Sequence, residues 1–147
     1  MHTHLCTCQT YLEPAGRIIL GAFFLLAGIS KFTDITGTAG YIDSIGLPMA
    51  STLAIATAVF ETVAGLALIA GRYTQHAALL LAGFTLLSGA LFHGPGSWAD
   101  SPTQQIMFMK NMAIMGGLLF MSAHMSSGSH RSRKNEPQEG QEENVQV

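Results

Sequence analysis

Apolar runs about twenty residues long alternate with short polar breaks along this chain, and four of them stand out. They are 14–33 (PAGRIILGAFFLLAGISKFT), 49–71 (MASTLAIATAVFETVAGLALIAG), 74–94 (TQHAALLLAGFTLLSGALFHG) and 104–124. A helix needs ~20 residues to cross a ~30 Å hydrocarbon core, so each run is long enough. A soluble four-helix bundle would need a polar face on every helix. The segment AALLLAGFTLLSGALF has none. The pattern predicts an all-α integral membrane protein, an up-down four-helix bundle occupying 14–124. A cytoplasmic tail (1–13) would precede it, and a disordered cytoplasmic tail (125–147), rich in Ser, Gly, Glu and Gln, would follow.

The breaks carry structure of their own. In 34–48 (DITGTAGYIDSIGLP), Tyr41, Ile42 and Ile45 form an apolar face at helical spacing. Gly46 can end a turn in the left-handed region and Pro48 can open the next helix. This predicts a short helix lying at the outer interface. The 95–103 loop holds Trp98, a residue type that anchors at membrane interfaces. The first run lacks a basic leader and an A-x-A site, so it is not expected to be a signal peptide.

Composition agrees with a membrane chain. Charged residues make up 11%, against about a quarter in soluble domains. Seven of the charged side chains fall within 131–147. The net charge of −2 gives no footing for nucleic acid. Arg17, Arg72 and the Arg131–Lys134 cluster flank one side, while the 34–48 and 95–103 loops contain Asp but no Lys or Arg. The positive-inside rule therefore places both termini in the cytoplasm, although Lys31 and Lys110 run against it.

Polar groups inside the runs come next. Stripes at steps of three and four join Arg17, Gly21, Phe24, Gly28 and Lys31 in the first helix, and Ala54, Ala58, Glu61 and Gly65 in the second. Ala82, Leu86, Gly89 and His93 line up in the third, and Lys110, Ala113 or Ile114, Gly117 and His124 in the fourth. Small residues let helices approach closely, so these seams are expected to face one another. Glu61 lies twelve residues after Met49, roughly 18 Å along the helix and near the bilayer middle. Bare and ionised there it would cost at least ~3 kcal/mol, so it must be protonated or paired. Lys31 and Arg17 sit at helix ends, where snorkelling is the default. Lys31, His93 and Lys110 share the outer level, with Glu61 beneath them. Such a group suits an anion, a quinone carbonyl or a partner's carboxylate, with His93 and Glu61 handling protons. Lys110 is expected to be held in the bundle interior, with Asn111 hydrogen-bonding a neighbouring helix.

Two further patterns concern metals. His2, His4, Cys6 and Cys8 alternate, so an extended chain would put them on one face, and such ligands suit zinc or copper(I). The x-spacing of one is tight for a single tetrahedral ion, and an inert tail or a reactive thiol pair are the other options. Met107, Met109, Met112, Met115 and Met121 do not share a face and are taken as filler, so no metal site is expected. His76, His124 and His130 lie near the inner surface and are expected to be inert.

The segments GRIILGAFFLLAGISKFTDITGTAGYIDSIGLP, ETVAGLALIAGRYT, FH before a loop, and KNMAIMGGLLF together resemble the DoxX family of small four-helix bacterial membrane proteins, over about 14–122. The resemblance implies a multi-pass inner-membrane protein, with Lys31, Glu61, His93, Lys110 and Asn111 at the matching polar positions. Some members serve quinone- or thiol-linked redox systems. The expectation is a membrane subunit of such a system with an outer-facing polar pocket. In it Lys31, Lys110 and Asn111 would bind ligand, quinone being the candidate cofactor, and Glu61 and His93 would move protons. A redox or stress-response protein is the expected partner. Without an intramembrane Cys pair, a haem pair or a nucleotide motif, the chain is not expected to be a complete electron-transfer enzyme. The alternatives are a non-enzymatic scaffold that recruits a partner protein, and a permeation pathway formed by a homo-oligomer.

Overall fold

The computed structural model describes residues 3–98 and 101–133, with side chains over 11–96, 98 and 101–124. Five helices follow in order: α1 (Thr3–Thr33), α2 (Ile35–Asp43), α3 (Ala50–Ala70), α4 (Thr74–His93) and α5 (Pro102–Arg133), with a 3-10 turn at Pro95–Ser97 before the last. Among the described residues there is no strand. Among the described residues, four segments are long and apolar enough to span a membrane: Tyr11–Thr33, Ala50–Ala70, Thr74–His93 and Pro102–His124.

Two helices run past their expected ends. α1 continues upstream of Pro14, which lies inside the helix. α5 continues from the span through Ser126 to Arg133. Once a helix is nucleated, each added residue brings a hydrogen bond with no new nucleation cost, so weak helix formers can extend one. His2 and residues 134–147 lie outside the described residues. His4, Cys6 and Cys8 lie in helical backbone rather than the extended chain that would align them, and their side chains lie outside the description.

The connections follow local chemistry. The Asp34 carboxylate accepts a 2.8 Å hydrogen bond from the Gly37 N–H, capping α2. Gly46 takes the left-handed conformation at φ +77°. Pro48 stays in the turn, and a left-handed Met49 (φ 58°) precedes α3 instead. α3 ends at Gly71 (φ +73°): the Gly71 N–H donates to the Leu68 carbonyl and Arg72 N–H to the Ala67 carbonyl, both at 3.2 Å. These paired bonds satisfy the last carbonyls of the helix and fold α4 straight back beside α3.

Packing groups the spans into two close pairs, α1 with α3 and α4 with α5, while α3 adjoins α4. The glycines explain the first pair. A Cβ on Gly21 would lie 2.8 Å from the Gly65 carbonyl oxygen, and one on Gly65 would lie 2.7 Å from the Leu25 nitrogen. Only glycine permits that backbone approach. Leu68, Leu81 and Leu118 are fully buried and fill the end of the bundle near the α3–α4 turn. Large apolar side chains such as Ile19, Leu26, Leu80 and Phe120 point outward. So much exposed hydrocarbon belongs against lipid rather than water, and the molecule is a membrane-spanning four-helix bundle.

Candidate functional site

The opposite end of the bundle is hollow. A cavity of about 360 Å³ opens among α1, α2, α3 and α4, with Asn111 of α5 reaching its wall. This is at the lower end of the range for small-molecule sites, about 300–1,000 Å³. Phe23, Phe24, Tyr41, Phe84 and Phe92 give it aromatic walls, and Lys31, Glu61, His93 and Asn111 all border it.

Lys31 and Glu61 form an ion pair across α1 and α3, with Nζ donating to Oε2 at 2.6 Å. Glu61 is only 5% exposed, so its carboxylate resolves its burial by pairing. The direction of Lys31 is informative. Gly28 lies against Ala58 and Thr62, which puts Lys31 level with a position roughly one turn before Glu61. Its side chain therefore runs ~6 Å toward the bilayer middle instead of snorkelling outward. Side chains on a helix lean toward its N-terminus, and for α1 that direction is inward.

His93 closes α4 on the cavity wall and is half-buried. Its Nδ1 lies 2.5 Å from Gln104 Oε1 on α5. Its carbonyl oxygen accepts a 2.9 Å hydrogen bond from Trp98 Nε1, and the Trp98 ring packs on Phe108 with centroids 5.4 Å apart. Trp98 thus ties the 3-10 turn back onto the end of α4. Asn111 fits beside Gly89, where a Cβ would lie 3.2 Å from the carboxamide nitrogen. The Asn111 carboxamide has no hydrogen-bond partner among the described residues, contrary to the interhelical bond expected of it. It is left to face the cavity.

Lys110 lies outside the bundle interior expected of it. It is exposed on the outer face of α5, and its Nζ meets the Met107 sulfur at 3.2 Å. Adjacent helical positions are 100° apart, so Lys110 and Asn111 cannot both look inward. The face of α5 that packs inward runs through Asn111, Ile114, Leu118 and Ser122, while Ala113, Gly116, Gly117 and His124 are exposed. The expected seam through Lys110 and Gly117 points to lipid. On α4 the inner face includes Thr85, and Leu86 is exposed. The other seams hold: α1 and α3 meet as described, and Gly89 is buried.

At the far end, Arg17 packs against Gly71, where any Cβ would strike the guanidinium. A cation beside the C-terminus of α3 interacts favourably with the helix dipole.

Sequence reasoning missed Gln104, Tyr41 as a wall residue, and the phenylalanine lining. Phe84 and Phe92 carry no signal apart from ordinary apolar residues. Thr57, Thr85 and Ser88 return their hydroxyl protons to carbonyls of their own helices, at 2.7–3.2 Å. Gln104 occupies the fourth position of Ser-Pro-Thr-Gln, a helix-start pattern whose Gln usually reaches back to the cap. Here it turns to His93. Among the described residues no cluster of His, Cys, Asp or Glu could hold a metal.

Comparison with known proteins agrees with this architecture. The inner membrane protein YqjF of Escherichia coli (strain K12) is 37% identical over 115 residues, covering 76% of this chain and 85% of the relative. The inner membrane protein YphA of the same organism is 29% identical over 108 residues, covering 72% and 77%. A Bacillus subtilis (strain 168) protein named "Putative oxidoreductase CatD" is 36% identical over 66 residues, covering 45% and 48%. No solved structure matches the chain significantly. With four spans and such relatives, this is a multi-pass protein of the inner membrane. The DoxX family profile matches residues 14–94, spanning α1 to the end of α4 and three of the four polar wall residues, and the chain belongs to the DoxX family.

Proposed function

We propose that the chain is the membrane subunit of a quinone- or thiol-linked redox system, and that its cavity receives the ring of a membrane-soluble quinone. The observation that carries this is the convergence of Lys31, Glu61, His93 and Asn111 on one aromatic-lined cavity. Flat aromatic walls suit a ring. The unpartnered Asn111 carboxamide suits an oxygen of a quinone or its quinol, and the His93 ring can pair with a quinol hydroxyl. Likeness to CatD, named as a candidate oxidoreductase, points the same way. The cavity end faces the periplasm and both termini face the cytoplasm, as the distribution of Lys and Arg supports. The filled core around Leu68, Leu81 and Leu118 gives no support to permeation through a single copy.

The test is binding of a quinone and of its quinol to purified protein in nanodiscs, wild type against Asn111→Leu and His93→Ala, with circular dichroism to check folding. Binding to wild type that is lost in folded variants supports the proposal. No binding to wild type overturns it in favour of a second reading, a non-enzymatic subunit that recruits a partner protein. That reading is favoured by the Lys31–Glu61 pair, which is satisfied without ligand and ties α1 to α3 as a structural clamp.

A further inference from the structure

We infer that Gln104 is a positioning residue that fixes the tautomer of His93, so that the cavity prefers a hydroxylated, reduced ring over its quinone or ether forms. This rests on the ring-binding reading above.

Gln104 Oε1 is an acceptor only, and it faces His93 Nδ1 at 2.5 Å. A neutral imidazole carries one proton, and with the Gln104 carboxamide oxygen turned to the ring that proton belongs on Nδ1. Nε2, on the far side of the ring, then carries a lone pair and has no partner among the described residues. The His93 carbonyl is held by Trp98, and Gln104 projects from the first turn of α5.

The other polar groups on the wall complete the selectivity. Lys31 Nζ and Glu61 Oε2 hold each other, and the N–H donors left on Lys31 serve a carbonyl and a hydroxyl oxygen alike. Asn111 offers both a donor and an acceptor. Nε2 of His93 is the group that demands a donor. A quinol hydroxyl can supply one, whereas a quinone carbonyl or a methyl ether oxygen sets acceptor against acceptor. The proposal concerns recognition alone and requires no electron transfer within this chain.

Two measurements test it. The first is long-range ¹H–¹⁵N correlation NMR of ¹⁵N-histidine protein at mildly alkaline pH, with the His93 signal identified by its loss in His93→Gln. The wild type should show a protonated Nδ1 and a bare Nε2. Gln104→Leu should mix or invert the tautomers, while Gln104→Glu, which keeps an acceptor, should preserve them. A protonated Nε2 in the wild type, or no change in Gln104→Leu, overturns the role of Gln104. The second is binding of duroquinol, duroquinone and duroquinol dimethyl ether to protein in nanodiscs. Loss of one hydrogen bond should weaken duroquinol about tenfold in Gln104→Leu, while the other two, relieved of the acceptor-on-acceptor contact, should bind no more weakly than to wild type. If all three bind wild type equally, the inference falls and the ring-binding function stands. If none binds, the ring-binding function falls with it, and the NMR result still decides whether Gln104 sets the tautomer.

Discussion

Lys31 shows how backbone direction decides what a charged side chain does in a membrane. At a helix C-terminus the lean of the side chain carries it inward, where Glu61 waits; in the first turns of a helix the same lean carries Lys110 outward, toward Met107. The two lysines therefore differ in consequence. Glu61→Ala should strand the Lys31 ammonium in a largely apolar setting. Removing one partner of a buried pair typically destabilises by about 3 kcal/mol or more, readable as a lowered unfolding midpoint in micelles. Replacing the pair together, Lys31→Met with Glu61→Leu, should recover most of that loss, because the unpaired charge is gone. Lys110→Ala should leave both the unfolding midpoint and ligand affinity close to wild type, since the side chain lies outside the cavity. Loss of binding in that variant would contradict the position described for it.

At the scale of elements, the contact between α1 and α3 depends on absent side chains. Gly28→Val would place Cβ against the Thr62 side chain and the Ala58 carbonyl. Overpacking of this kind costs roughly 1–3 kcal/mol, and the strain falls next to the ion pair, so thermal unfolding and ligand affinity should worsen together. α2 acts from above. Tyr41 stacks on Phe92 of α4, with centroids 4.9 Å apart and planes 18° from parallel, and bridges the cavity between α2 and α4. A ring pair of this kind contributes ~0.5–1.5 kcal/mol. Tyr41→Ala should accelerate dissociation of a bound ring up to about tenfold, measurable by stopped-flow displacement.

The sequence was most legible where physics leaves few choices. Glu61 near the bilayer middle needed a partner, and Gly21, Gly28 and Gly65 at helical spacing needed a close neighbour. The four spans followed from length and hydropathy. α5 was not legible in the same way. In water a helix turns its apolar side inward, but in lipid both sides are apolar, so Gly116 and Gly117 look equally suited to a seam or to lipid. Lys110 and Asn111 are adjacent in sequence, and adjacency along a helix separates their directions. The Gln104–His93 contact crosses from one helix to the next, and no periodicity within either helix could reveal it.

On the scale of the whole molecule, the bundle is polarised. The end near Gly71 is filled and carries Arg17, whereas the end under α2 is hollow and carries the polar wall. Orientation can be tested directly. In a Cys6→Ser, Cys8→Ser background, Asp43→Cys should react with a membrane-impermeant maleimide added to cells with a permeabilised outer membrane. Reaction only after lysis would turn the molecule over and place the cavity in the cytoplasm.

The pairing of α1 with α3 also has a consequence for biogenesis. Lys31 precedes Glu61 by thirty residues, so its helix has already left the ribosome when the carboxylate enters the translocon. Glu61 thus meets its counter-ion within the nascent hairpin, before α4 and α5 have emerged from the ribosome. The most hazardous residue of the chain is safe in the bilayer while two of the four spans have yet to be inserted.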